Sequence, residues 1–307
     1  MTALRAAVDD YLAIRRRLGF ELVRAGRLLP DLVGYLEQEG AEHLTTELAL
    51  AWATLPADAH PAWWRQRLGI VRGFARHLQS VDPQSEVPPD VLRAHWPRVT
   101  PYLYAPAEIV ALMDGARGLA PPLRAATCET VIGLMAVSGL RLGETVALDR
   151  ADVDLVAGIL HVRRAKNGTP REVPLDDSTI RALGDYGRLR DRHRPEPATR
   201  AFFVSGRGRR ATCGTFQATF RTLVRMAGLE GRGERCRPRP HDLRHTFAVT
   251  TLLDWYRAGI DVDARLPLLS TYLGHVHPGA TYWYLQATPE LLALAGQRLE
   301  DVLRGLP

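Results

Sequence analysis

Lysine is almost missing from this sequence. Of 40 basic residues 39 are arginine, and the single lysine is Lys166. Arginine stays protonated in any protein, whereas a lysine can be tuned to give up a proton, so this one exception singles out a position. Cysteine is scarce too. Cys128, Cys213 and Cys236 stand far apart with no paired ligand spacing, which leaves neither a disulfide scaffold nor a zinc site to expect, and a reducing cytoplasm is the expected setting. Apolar runs such as "VIGLMAVSGL" are too short to span a bilayer, and no basic-then-apolar leader opens the chain, so no membrane partner is expected. With neither an acidic metal cluster nor a phosphate-cradling glycine loop, no metal or nucleotide cofactor is expected.

What the chain has is apolar bulk and unevenly placed charge. Its 307 residues, 46% of them apolar, can bury one generous core or two modest ones. The net charge of +6 is modest, but residues 1–100 carry twelve basic and twelve acidic side chains, against twenty basic and nine acidic over 161–244. That local excess suits a surface facing a polyanion such as nucleic acid. A merely solvated basic surface would look the same on charge alone.

Apolar periodicity predicts a compact helical unit at the N-terminus. "ALRAAVDDYLAIRRRLGF" has an apolar face through Leu4, Val8, Tyr11, Leu12 and Leu18, and "TTELALAWATLP" offers Thr45 or Thr46 as a cap. The proline-rich stretch after residue 85 reads as a linker over 86–102. From 103 to 307 helical patterns resume. They are interrupted by the alternating segment "VDLVAGILHVRRAKNGTPREVPL", in which Asn167–Gly168 suits a tight hairpin turn. The expected fold is mostly α with a small antiparallel sheet, the second unit being α+β.

Four short stretches carry candidate chemistry. "SGLRLGETVAL" sets Arg141 after a glycine turn with Glu144 three residues on, a spacing that also describes a surface ion pair. "RRAKNGTPREVPL" places Lys166 beside a hairpin tip with Arg163, Arg164 and Arg171 on its arms, a shape able to enter a DNA groove with its charges on phosphates. "RPRPHDLRHTFA" starts a helix near Pro240, beside Arg239. His241 and Arg244 are close enough to face one anion at its N-terminus, and His245 falls on another angle. Last comes "YLGHVHPGATYWYLQATPELL". There Gly274 ends a helix before His275, and Tyr282 and Tyr284 lie about 200° apart on a helix, so they cannot serve one site. Spacing alone does not choose between them.

The order "SGLRLGE", lysine hairpin, "HDLRHTFA", "LGH", then tyrosine resembles the tyrosine recombinases, or phage integrase family, over about residues 103–295. Each motif is degenerate, but five in sequence are specific. The resemblance makes 1–85 a DNA-binding core-binding domain and 103–307 the catalytic domain, the two forming a C-shaped clamp on DNA. It assigns catalytic roles to Arg141, Lys166, His241, Arg244 and His275, and a supporting role to Glu144. The family's spacing of nine residues from that histidine to the nucleophile gives Tyr284; Tyr272 then packs. Ala165 stands where many members have glycine.

The chemistry implied is attack by the Tyr284 phenol on a scissile phosphate, giving a 3′-phosphotyrosine and a 5′-hydroxyl. Arg141 and Arg244 would hold the non-bridging oxygens, with His275 a further donor. His241 would assist removal of the tyrosine proton and Lys166 would protonate the leaving oxygen. The implied partners are double-stranded DNA bearing specific recombination sites, other copies in a tetramer on DNA, and accessory DNA-bending proteins. The C-terminal face of Leu291, Leu292, Ala295, Leu299 and Val302 would dock on a neighbouring copy. Arg15–Arg17 could supply phosphate contacts from the N-terminal domain. "TYWYLQATPELL" leans toward the integrases and transposases of mobile elements. A relaxing topoisomerase of the eukaryotic-like type, a dimer resolvase and a non-catalytic DNA-binding protein are the competing readings.

Overall fold

The computed structural model describes residues 2–94, 100–163, 170–195, 199–233, 235–275, 277, 279–285, 290–294 and 296–297. The chain divides into two compact units, Met1–Arg98 and Val99–Pro307.

The first unit is built from α1 (Ala3–Arg17), α2 (Ala25–Gln38), α3 (Thr46–Thr54) and α4 (Pro61–Leu78). Leu4, Val8, Tyr11 and Leu12 bury the inner face of α1. Leu18, expected to extend that face, is 67% exposed, because α1 stops at Arg17 and Leu18 sits at its C-cap. Thr45 caps α3 by accepting from the Leu48 amide at 3.2 Å. The core gathers Leu29, Leu32, Leu36, Trp52 and Phe74, and the Arg67 guanidinium lies 3.7 Å over the Trp52 ring while donating to its carbonyl at 2.7 Å.

The start of the proline-rich stretch is tied down to this unit. The Glu86 amide donates to Leu44 O at 2.7 Å, Arg72 Nε donates to Pro88 O at 2.8 Å, and Val87 and Leu92 pack against the helical core. Arg16 and Arg17 are exposed, while Arg15 lies 3.9 Å over the Phe20 ring.

The second unit runs α5 (Pro106–Arg117), α6 (Pro122–Ser138), α7 (Leu142–Ala147), β1 (Val153–Asp154), β2 (Ile159–Val162), β3 (Arg171–Pro174), α8 (Asp177–His193), α9 (Cys213–Met226), α10 (Pro240–Arg257), α11 (Val262–Leu273) and α12 (Gly279–Leu285). The fold is mostly helical with one three-stranded antiparallel sheet in the order β1-β2-β3. Alternation along β2 buries Leu160 and Val162. Val162 stands opposite Arg171 in the ladder, and the Asn167–Gly168 turn expected between them lies outside the described residues. One core joins α5, α6, α8, α9 and the sheet; a second joins α10, α11 and α12 through Leu252, Leu266, Leu269 and Tyr284. No described helix is long and apolar enough to cross a membrane.

Candidate active site

Two helix ends build the floor of the site. A helix leaves its last carbonyls without partners, and here arginines take them. Gly139 closes α6 and Gly274 closes α11, both in the left-handed region (φ 61° and 67°) that glycine enters without strain. Each is also short of room. A Cβ on Gly139 would lie 2.5 Å from Phe247 Cδ1, and one on Gly274 would lie 2.8 Å from an Arg171 guanidinium nitrogen.

Three successive carbonyls at the end of α11 each accept from a different arginine. Tyr272 O takes Arg171 Nε at 2.7 Å, Leu273 O takes Arg244 at 2.6 Å, and Gly274 O takes Arg141 at 3.0 Å. Arg244 also donates to Gly139 O at 2.8 Å, so one side chain bridges both helix ends. Cations are favoured there by the helix dipole.

Glu144 gathers the charges from below. Its carboxylate is buried and accepts from Arg141 at 2.7 Å, from Arg171 at 2.8 and 3.2 Å, and from the Arg141 amide at 3.1 Å. Burial alone would raise its pKa; the Arg171 guanidinium, and then Arg141, outweigh this and hold it below the ordinary carboxylate range. The Arg141–Glu144 spacing therefore marks an interior pair.

The structure draws Arg141, Arg244, His275 and Tyr284 together. Arg244 is 1% exposed, and burial followed by the nearby Arg141 charge lowers its pKa to about 10, which leaves it charged at neutral pH. Tyr284 is 2% exposed and Tyr282 48%, which separates the pair that spacing left open. Burial raises the Tyr284 pKa against the opposing pull of the nearby Arg244 guanidinium and then of Arg141.

The Tyr284 ring stacks on His275 at 6.0 Å and meets His245 edge-on at 5.4 Å; His245 in turn lies 4.7 Å from His241. His275 Nδ1 is 2.7 Å from Thr281 Oγ1. Burial, and then Arg244 and Arg141, lower the His275 pKa to about 4. His245 is pushed down to about 3 by burial and then by His241, and its Nδ1 has no hydrogen-bond partner among the described residues. Tyr272 packs, stacked on Phe247 at 5.7 Å.

Three of the arginines expected on DNA pair with carboxylates of the fold. Arg171 is a correction: it points inward to Glu144 and the Tyr272 carbonyl, its side chain 8% exposed, because a buried carboxylate needs its cations within the fold. Arg239 is half-exposed and clasps the buried Asp242 at 2.8 and 3.0 Å while lining the cleft. Arg163 is exposed and pairs with Asp152 at 2.7 Å. Lys166 and Arg164 lie outside the described residues, as do Ala295, Leu299 and Val302 of the C-terminal face. Of that face's other members, Leu291 is buried and Leu292 exposed.

Above this floor opens a cleft of about 1650 Å³ within the second unit. Arg141, His241 and His275 reach it, and so do Arg221, Arg225 and Arg237, which sequence reasoning passed over. The first two stand four apart on α9, a spacing that puts both on one helix face and could have been read beforehand. No aspartate or glutamate lines the cleft among the described residues. No group of three or more potential ligands able to hold a metal occurs among them either. The cleft therefore offers an anion several guanidinium forks and imidazoles, and the buried Tyr284 lies behind its lining residue His275.

Residues 104–290 match the phage integrase family. A Sinorhizobium fredii protein named as an integrase/recombinase, y4rB, is 44% identical over 309 residues, covering 98% of each chain. The tyrosine recombinase XerC of Chlamydia trachomatis is 30% identical over 233 residues, covering 74% of this chain and 67% of its own. Among solved structures, the Tn1549 transposon integrase in complex with transposon right end DNA shares the fold with a TM-score of 0.63 at 16% identity, over 99% of this chain and 100% of that one. The chain belongs to the phage integrase family and performs site-specific DNA recombination of the tyrosine-recombinase type.

Proposed function

We propose that Tyr284 is the nucleophile of this recombinase and that Arg141, Arg244 and His275 receive the scissile phosphate. The observation that carries the reading is the placement of the Tyr284 phenol, buried beside the Arg244 guanidinium with Arg141 and His275 close by. A phosphodiester entering the cleft meets donors already fixed on carbonyls and on Glu144, so little reorganisation is needed as charge grows on its non-bridging oxygens. Losing one such donor raises the barrier by about 3 kcal/mol.

Attack by Tyr284 Oη on phosphorus forms the 3′-phosphotyrosine and expels the 5′ oxygen, which takes a proton from Lys166. The phenol proton leaves toward the histidine cluster, where His241 is the exposed member. A 5′-hydroxyl of another strand then attacks the phosphotyrosine and releases the phenol, so no bond energy is lost. Neither strand transfer step calls for a metal or nucleotide.

The biological setting is movement of a mobile element. The full-length likeness to the Sinorhizobium fredii integrase/recombinase supports it, as does the wording of residues 281–292. On DNA, four copies act on two sites and accessory DNA-bending proteins assist. Residues 1–85 serve as the core-binding domain, closing with the catalytic domain as a C-shaped clamp.

A nicked suicide substrate built from the ends of the flanking element tests the chemistry. The wild-type chain is expected to accumulate a covalent protein–DNA adduct, and Tyr284→Phe to bind the duplex without forming one. Adducts surviving in Tyr284→Phe would remove Tyr284 from the role. Relaxation of supercoiled plasmid by a monomer, without recombinant products, would instead favour a topoisomerase.

A further inference from the structure

We infer that Thr281 is a positioning residue which fixes the tautomer of His275, so that the ring presents an N–H to the cleft only while α12 is docked.

The argument starts from the two edges of one ring. His275 lines the cleft, but its Nδ1 edge is turned to Thr281 Oγ1 at 2.7 Å, and Thr281 is completely buried. Nε2 is therefore the nitrogen left for a ligand in the cleft. With its pKa at about 4, His275 is neutral at physiological pH, and a neutral imidazole has one donor and one acceptor. If Nδ1 held the hydrogen, Nε2 would offer a lone pair to a phosphate, and two acceptors would repel. If Nε2 holds it, Nδ1 must accept, and Thr281 Oγ1–H is the donor beside it.

The threonine hydroxyl can act in this sense. It is buried, where an unused donor costs free energy, and its only described hydrogen bond is the one to His275. A threonine methyl also locks χ1 more tightly than a serine would, which keeps the hydroxyl aimed at the ring. The same logic fixes histidine tautomers wherever the second nitrogen must do chemistry.

Thr281 and Tyr284 are three residues apart on α12, so they share a helix face. Both point at His275, the one through its hydroxyl and the other through its ring. Docking α12 thus delivers the phenol and sets the histidine donor in one movement. A copy with α12 displaced would lose both together, which would keep an unengaged protomer from polarising a phosphate it cannot attack.

This inference rests on the reading of His275 as a phosphate donor, and the experiment separates the two. Nitrogen-15 NMR of histidine-labelled protein reports the His275 tautomer directly, with or without activity. The wild type is expected to show Nε2–H, Thr281→Ser to keep it, and Thr281→Val to show a mixture or Nδ1–H. Covalent-adduct formation on the suicide substrate should slow on the order of tenfold in Thr281→Val. It should recover to within a few fold in Thr281→Ser, with duplex affinity equal in all three. A wild-type Nδ1–H tautomer, or a tautomer unchanged in Thr281→Val, would overturn the assignment even if adducts form normally. Equal impairment of the serine and valine variants would also overturn it, since packing alone would then explain the loss. Failure of the wild type to form any adduct would count against the catalytic reading, and the NMR result would still decide the tautomer.

Discussion

Arg171 grips both oxygens of Glu144, at 2.8 and 3.2 Å, while Arg141 holds the same carboxylate at 2.7 Å. One buried acid thus ties β3 to Arg141, which stands near Tyr284. A charge that sequence assigns to the DNA surface is a strut between two parts of the site.

Replacing that strut has a distinct signature. Arg171→Met strands part of a buried carboxylate and should destabilise the fold by about 3 kcal/mol, read from denaturant midpoints. Arg171→Lys keeps the charge but loses the planar fork, and should slow adduct formation while leaving the salt dependence of DNA binding unchanged. A salt slope reduced by about one in log–log form would place Arg171 on a phosphate after all.

The buried histidines predict how stability responds to acid. His245 and His275 have pKa values lowered from 6.5 to about 3 and about 4. Between pH 6.5 and 4 the unfolded chain therefore binds protons that the folded chain refuses, so stability falls as pH drops through that window. Above it their contribution is fully present. Denaturant midpoints at pH 7.5, 6 and 5 should decline in the wild type and flatten in a His245→Asn, His275→Asn double variant. An identical decline in both proteins would show that other groups carry the acid sensitivity.

The parts of the site legible in sequence were those set by local rules. Gly139 and Gly274 mark helix ends because their backbone must be left-handed, and Pro240 opens α10 because proline suits a first turn. The helix and hairpin patterns followed from periodicity, as the buried Leu160 and Val162 illustrate. What spacing could not supply was direction. Tyr282 and Tyr284 are equivalent in a string; tertiary packing buries Tyr284 and exposes Tyr282. Arg171 failed as a surface charge for the same reason, since its partner Glu144 is 27 residues away in the chain. Thr281 carries no chemical label at all until the fold puts it against His275.

The solitary lysine gives the sharpest chemical test. Strand β3 begins at Arg171, five residues beyond Lys166, and that arginine is fixed to Glu144 and to the end of α11. Strand β3 is thus anchored in the arginine-rich floor, and the proposed mechanism has Lys166 protonate the leaving oxygen. An ammonium can surrender a proton to that oxygen and a guanidinium cannot, so charge alone does not satisfy the position. Lys166→Arg should slow cleavage of an ordinary phosphodiester by about a hundredfold or more. On a substrate whose leaving group is a 5′-phosphorothiolate, the same variant should approach the wild-type rate, because a thiolate departs without protonation. Equal slowing on both substrates would mean that Lys166 binds the DNA and does not protonate it.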